Sequence, residues 1–596
     1  MKSRVKSISM VAALFSCMIL ISGCDKDSGL TENSREKVGT IHNEPGIPPT
    51  VQPSLWKQSD EFNRKIYTVT DGVYQSVGWG ISNSIMVEGD KCVFVVDACD
   101  SLEHGQEVLK EFRKITDKPV KALIYTHNHV DHFLGSEAFG KTGQIDVYAH
   151  DTTNYYINRV INIIRPIIAI RSNRMFGTYL PKGAEGFVNG GLGPEMEVVN
   201  GKGTPTLIRP TKTFKDELTT TICGVKVRMI HAPGETNDQI MVWLPEKKTI
   251  MPGDNFYKAF PNLYTIRGTL YRDVIGWAHS VDLIRRLEPE FIAPSHTKPL
   301  AGKEKIASIL TDYRDGIQYV HDQTIRLMNK GYTVDEIVEE VKLPDHLRNH
   351  PFLLEHYGTV EWSVRSVFSG YLGWFDGDTA TLSKPSPTAR AKGMIEIAGG
   401  RDALLNHAKS AFQTANYKWT AELTSYLIKA NADDTEAKQL KANALRQLGY
   451  QSVSPNGRNT YLTQALELEG NIIVESPPIT KAGIRLAEKM PIGNYMEAMT
   501  VALVPEKSLD VDQIVTFHFT NVNESHSLHV RKGIAEYISK ALPGADIELA
   551  MDTGTWIQIV SGYKSFPGAI AKGELSVKGG LTGVPKLVGF LSMFQE

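Results

Sequence analysis

The chain has 596 residues, enough for about three or four domains of ordinary size. With 41% hydrophobic and 22% charged residues it has a globular composition, which excludes a disordered or fibrous chain. A formal charge of −2, with no run of like charge, lacks the basic footprint that general nucleic-acid binding needs.

The first predicted element is a leader. Lys2, Arg4 and Lys6 precede a mostly apolar run from Ile8 to Ile21, and ISGC then ends at Cys24. A charged start, a short apolar run and small residues have the shape of an export signal, and the run is short for a membrane span. Small residues directly before a cysteine resemble the bacterial lipobox. That resemblance implies cleavage of residues 1–23, acylation of Cys24 and a lipid-anchored protein on the periplasmic side of the envelope; the alternative is an ordinary cleaved signal with a chance cysteine. Residues 24–55, polar and rich in Pro and Gly (NEPGIPPTVQP), read as a tether. Cys92, Cys99 and Cys223 make no disulfide framework and no CxxC zinc motif, so free, buried thiols are expected.

Residues 56–385 alternate strand and helix signals. IYTVT, SIMVEG and CVFVVDA are β-rich runs, EHGQEVLKEFRKI has helical spacing, KALIYTH reads as a buried strand, and VKVRMIHAPG and QIMVWLPEKKTIMPGD continue with strands. This pattern is a sheet-and-helix sandwich. Within it, residues 150–205 (NRVINIIRPIIAIRSNRMFGTYL, then a Gly-rich stretch) read either as a core helix and loop or as the lid or wall of an apolar pocket. Residues 386–480 are helical. AKSAFQTANYKWTAELTSYLIKA and DTEAKQLKANALRQLGY read as one helix pair, which resembles a tetratricopeptide hairpin but is too little for a solenoid, so a dimerisation or bridging module is expected. Residues 481–596 carry β alternation with one helix and resemble the sterol-carrier-protein fold, which holds apolar tails. Trp556, Phe566 and Phe590 are core residues or, alternatively, the lining of such a site.

The chemistry concentrates at THNHVDH (126–132), directly after the buried strand. His127 and His129, two apart in extended chain, point the same way, and Asp131 and His132 enter the turn beyond them. Neutral imidazole and carboxylate are the ligands zinc takes when thiolate is absent, and two centres served from one loop would lie about 3.5–4 Å apart.

The H-x-H-x-D-H pattern resembles the metallo-β-lactamase superfamily, and later segments match it position by position. FVVDACDS puts Asp97 at the family's acidic turn, where the resemblance implies that it orients a ligand rather than binding metal. HAPGETNDQI matches H-x-P-G-H-T-x-D with Glu235 in place of the third metal histidine. MPGDNFY puts Asp254 at the bridging acid and APSHTKP puts His296 at the last ligand position. Glu235, NLYTIRG (262–268) and HYGTVEWSVRSVFSGYLGWFDGD (356–378) are similar to the alkylsulfatase branch. Asp254 departs from it by being shorter than the branch's usual glutamate, and Ser363 stands where relatives often carry Asn.

The resemblance implies an α/β fold: a metallo-β-lactamase αββα sandwich, then an α-helical dimerisation domain and an α+β sterol-carrier-like domain. It implies a homodimer and a binuclear zinc hydrolase of alkyl sulfate esters with two Zn2+ per chain. His127, His129 and Glu235 would serve one zinc, and Asp131, His132 and His296 the other. Asp254 would lie between them, and a metal-bridging hydroxide would be the nucleophile. Arg267 would grip the sulfate, with Asn262, Tyr264, Tyr357 and Arg272 as further candidates for its cradle. The alternatives are another ester hydrolase of the superfamily, or a lipid-binding lipoprotein whose metal site is not catalytic.

Overall fold

The computed structural model describes residues 41–159, 163–475, 481–578 and 583–595. The leader 1–23, Cys24 and residues 25–40 lie outside the described residues. The described chain forms two compact units, one of residues 171–474 with those up to 153, the other of 154–170 with 475–595.

In the first unit two sheets are stacked. The first has the spatial order β1 (Lys65–Thr70), β2 (Val73–Val77), β3 (Ile85–Glu88), β4 (Val93–Val96), β5 (Val120–Ile124), β6 (Asp146–His150), β7 (Lys212–Phe214). Its first four strands pair antiparallel and β4 to β7 pair parallel. The second sheet comprises β8 (Glu217–Ile222), β9 (Val225–His231), β10 (Ile240–Leu244), β11 (Thr249–Met251), β12 (Phe291–Ile292) and β13 (Leu300–Ala301), each beside the next in sequence.

Strand β10 shows why this becomes a layered sandwich. Every residue of IMVWL is buried, and the two faces go to different cores. Ile240, Val242 and Leu244 point between the sheets, where they meet Phe94, Val96 and Ile124 of the first sheet. Met241 and Trp243 point outward to Trp277 and Val281 of the helix Val274–Arg286 and Leu310 of the helix Lys303–Met328. On the other flank, the helix Leu102–Phe112 crosses from β4 to β5 and starts at Ser101, whose hydroxyl accepts from the His104 amide. The result is the sheet-and-helix sandwich of the strand pattern, in the αββα form that the family resemblance implies.

The expected tether ends earlier than residue 55. Val51 and Leu55 are fully buried, and the helix Pro53–Gln58 already belongs to the fold. The expected helix pair is three helices, Arg401–Gln413, Tyr417–Ala430 and Thr435–Gln451, flanked by Pro387–Ile397 and Pro455–Leu468. The extra break falls at Ala415, held at φ +58°, and at Asn416, whose side chain caps the next helix at the Trp419 amide.

The expectation of free thiols is overturned for two cysteines. Cys92 and Cys223 form a disulfide with Cα atoms 5.3 Å apart, and among the described residues only Cys99 is free and buried. Cys92 lies just before β4 of the first sheet, and its partner lies in the β8–β9 turn of the other sheet, 131 positions away. The β8–β9 turn brings Cys223 close enough for the Asp90 amide to donate to its carbonyl at 2.9 Å.

In the second unit a sheet runs β16 (Ile534–Ile538), β15 (Glu524–Arg531), β14 (Asp512–Phe519), β17 (Ile547–Met551), β18 (Leu575–Val577), with β14 and β17 parallel. ADIELAMDTGTWIQIV is not one β segment: Asp552 ends the strand and caps the helix Thr553–Val560. Several further helices replace the one expected, among them Ile492–Thr500 and Val584–Ser592. Trp556 and Phe590 are buried core residues, Trp556 set edge-on to Phe517 at 4.9 Å, and Phe566 is half-buried. Residues 154–159 and 163–170, read from sequence as part of the catalytic domain, belong to this unit instead, where Asn494 Nδ2 donates to the Asn158 carbonyl at 2.9 Å.

Candidate metal centre

Strand β5 delivers Thr126 and the histidines to the end of the sandwich, and a single 3-10 turn over Val130–His132 folds the chain back. Asp97, just past β4, fixes this turn. It sits at φ +57°, a left-handed position that Asp tolerates better than most residues. One carboxylate oxygen accepts from the Thr126 amide at 2.8 Å. The other accepts from Thr126 Oγ1 at 2.9 Å, His132 Nδ1 at 2.8 Å and Ser295 Oγ at 2.6 Å. Asp97 therefore orients the cluster without entering it.

All seven candidate ligands come together. Suitable atoms of His127, His129, Glu235 and Asp254 lie within 4.8 Å of one another, as do those of Asp131, His132 and His296. Asp254 Oδ2 joins the two groups, 3.6 Å from His127 Nε2, 3.4 Å from His132 Nε2 and 3.1 Å from His296 Nε2. Four of these residues come from the end of the first sheet and three from the end of the second.

The tautomers follow from the outer hydrogen bonds. His132 donates Nδ1–H to Asp97, and His296 donates Nδ1–H to the Ile81 carbonyl at 2.7 Å. Both Nε2 atoms are then left facing carboxylate oxygens of Asp131 and Asp254. Lone pair against anion is repulsive, so a proton or a cation must lie between them. Burial disfavours the imidazolium, yet Asp254, Asp131 and Asp97 hold His132 well above the usual histidine range. Burial and the neighbouring His132 push His127 down to about 4, leaving it a neutral donor to a metal. Among the described residues, His132 Nε2, Glu235 Oε2 and Asp254 Oδ1 are buried without a hydrogen-bond partner. Imidazole nitrogens and carboxylate oxygens orphaned at one point fit bound divalent metal.

The sulfate candidates divide. Arg267 Nη2 lies 3.3 Å from His129 Nε2, at the edge of the first group. Arg272 is engaged through one nitrogen only: its Nη1 pairs with Glu235 Oε1 at 2.5 Å and also donates to the Asn262 carbonyl, with both charged side chains buried, while among the described residues its Nε and Nη2 have no hydrogen-bond partner. Asn262 is buried, with Oδ1 unpartnered. Tyr357 is buried near the cluster, its phenol pushed well up by burial and by Glu235 and Asp131. Half-buried Tyr264 makes no hydrogen bond with the described residues. Ser363 spends its hydroxyl on the Thr359 carbonyl of its own helix.

Sequence reasoning missed Tyr257. Its ring stands edge-on to His296 at 6.0 Å and its hydroxyl accepts from the Asn262 amide at 2.8 Å. Its place three residues after Asp254 was the available signal. Also missed were Gln75 and Asn83, which brace the His296 loop through the Pro294 and Thr297 carbonyls.

A two-sheet sandwich with this cluster at its edge defines a metallo-β-lactamase superfamily protein, and that family's model matches residues 77–296. Models for alkyl sulfatase dimerisation and the alkyl sulfatase C-terminal domain match residues 333–471 and 480–596. A linear primary-alkylsulfatase from Pseudomonas sp. is 37% identical over 518 residues, spanning 85% of this chain and 97% of the relative. The alkyl/aryl-sulfatase BDS1 of Saccharomyces cerevisiae is 30% identical over 93% of this chain and 86% of its own. The solved structure of a stereoselective inverting sec-alkylsulfatase, Pisa1 from Pseudomonas sp., superposes with a TM-score of 0.83 at 27% identity, covering 93% of this chain and 88% of that one. The chain belongs to the alkylsulfatase family.

Proposed function

We propose that this chain hydrolyses alkyl sulfate esters to an alcohol and inorganic sulfate, with two zinc ions per chain. The observation that carries the reading is the pair of ligand groups joined by Asp254, with Arg267 beside them. Bound divalent metal at such a site lowers the pKa of water from 15.7 toward about 7 and so supplies a nucleophile at ordinary pH. The chain's own part is to orient and bind. Asp97 and the Ile81 carbonyl fix the imidazole tautomers. A sulfate monoester spreads one negative charge over three oxygens, which suits the planar fork of Arg267.

The test is sulfate release from dodecyl sulfate by zinc-loaded protein. Release is expected from the parent and not from Glu235→Gln. Arg267→Lys is expected to lower kcat/KM about 10²-fold with zinc content unchanged. Unchanged turnover in Arg267→Lys would remove that residue from the sulfate site.

We also infer a homodimer formed through residues 333–471, which the dimerisation model matches and where apolar residues stand open: Trp374 is 72% and Ile397 83% exposed. Sedimentation of the purified chain reads this directly. Export with a lipid anchor at Cys24 is proposed on the leader, and the Cys92–Cys223 bridge suits an oxidising compartment. Palmitate labelling that survives Cys24→Ser would refute the anchor.

A further inference from the structure

The helix Pro455–Leu468 of the helical module begins in an unusual way. Ser454 occupies its N-cap, where a serine ordinarily accepts a hydrogen bond from an amide in the helix's first turn, and it makes no such bond. Its hydroxyl instead donates to the Tyr357 carbonyl at 2.8 Å, 97 residues away in sequence. Asn456, in the first turn of the same helix, donates its side-chain amide to the same carbonyl at 3.4 Å. Ser454 is 3% and Asn456 1% exposed, so water does not compete for these bonds.

Tyr357 is fixed on its other sides as well. Gly191 packs so closely that a Cβ there would lie 2.5 Å from the His356 carbonyl and 2.9 Å from the tyrosine ring. The Gly358 amide donates to the Phe260 carbonyl at 3.2 Å, tying this segment to the one that carries Asn262. The ring meets Tyr257 edge-on at 6.2 Å, and Tyr257 meets His296 in the same manner. A neutral phenol held in this way is a fixed O–H donor for an anion.

We propose that Ser454 and Asn456 are positioning residues for sulfate-ester hydrolysis, through which the helical module sets the place of the Tyr357 hydroxyl in the active site of its own subunit. The proposal rests on the reading of Tyr357 as a residue that contacts the sulfate. It gives the module a role in turnover beyond association. The helix forgoes its cap bond, and both side chains converge on one backbone oxygen of the active-site wall.

The experiment is a double-mutant cycle on the zinc-loaded full chain, with kcat and KM for dodecyl sulfate measured for Ser454→Ala, Tyr357→Phe and the combination. Ser454→Ala is expected to lower kcat about tenfold with KM within about twofold, and Ser454→Thr, which keeps the hydroxyl, to recover most of the loss. Asn456→Ala provides a second route to the same carbonyl and is expected to lose less. In the Tyr357→Phe background Ser454→Ala is expected to add nothing. Additive losses, or an unchanged kcat in Ser454→Ala, would overturn the proposal. A loss in Tyr357→Phe alone would overturn only the positioning role. Full activity in Tyr357→Phe would overturn the reading of Tyr357 itself, and the positioning role with it.

Discussion

Asp254→Asn is expected to abolish sulfate release, by at least about 10³-fold, and to lower zinc content in the same protein. Asp254 Oδ2 lies within 3.6 Å of the Nε2 atoms of His127, His132 and His296. An asparagine offers either a neutral oxygen or an NH2 group at that point. Both remove one negative charge from a buried site whose function is to hold cations, and the NH2 would direct hydrogens at imidazole nitrogens already needed elsewhere. Asp254 belongs to one ligand group by proximity and reaches the other through His132 and His296, so its loss touches both. Elemental analysis and sulfate release on one preparation check this. Two zinc ions per chain with parental turnover would show that Asp254 is not shared.

The second large effect is expected on stability. Arg272→Met removes the only counter-charge that the described residues place in contact with Glu235, at a site where Arg272 is 3% and Glu235 4% exposed. Breaking one side of a buried pair costs about 3–5 kcal/mol when the abandoned group is ionised. Burial already pushes Glu235 up to about 8 despite Arg272. Its folded pKa is thus raised above its unfolded value, so the native state holds the extra proton between pH 4.5 and about 8, and this group's contribution to stability falls as pH rises through that window. Below about 8 the neutral carboxyl needs no counter-charge. Loss of Arg272 raises the Glu235 pKa further, so in metal-free protein the deficit of Arg272→Met should be small at pH 6 and about 1.4 kcal/mol larger at pH 9, the cost of keeping the carboxyl protonated one unit above about 8. Urea unfolding at the two pH values measures it, and equal deficits would mean that the pair contributes through packing alone.

The ligand cluster was legible because its signals are local. H-x-H-x-D-H, Glu235 in a P-G-E-T turn, Asp254 after P-G and His296 after P-S each lie at the end of a strand that periodicity finds, and the sandwich brings those ends together. The Arg272–Glu235 pair was not legible, because the two residues lie 37 positions apart and no local pattern joins them. The Cys92–Cys223 bridge spans 131 positions and two sheets, so strand-by-strand reading could not pair it. The break at Ala415 and Asn416 was hidden by a continuous helical periodicity that one left-handed residue and one cap interrupt. Residues 154–159 and 163–170 were misassigned for a similar reason: an apolar helix shows in sequence, but the body it packs on does not.

The disulfide has a consequence for how the halves of the centre stay matched. Cys92 precedes β4, whose far end carries Asp97, and Cys223 precedes β9, which leads on to Glu235. The covalent link therefore clasps the sandwich at one end while the ligands from both sheets meet at the other. Closing a loop of this length removes about 4–5 kcal/mol worth of freedom from the unfolded chain. Without bound metal the chain is still buckled at the far end, which keeps the two half-sites in register.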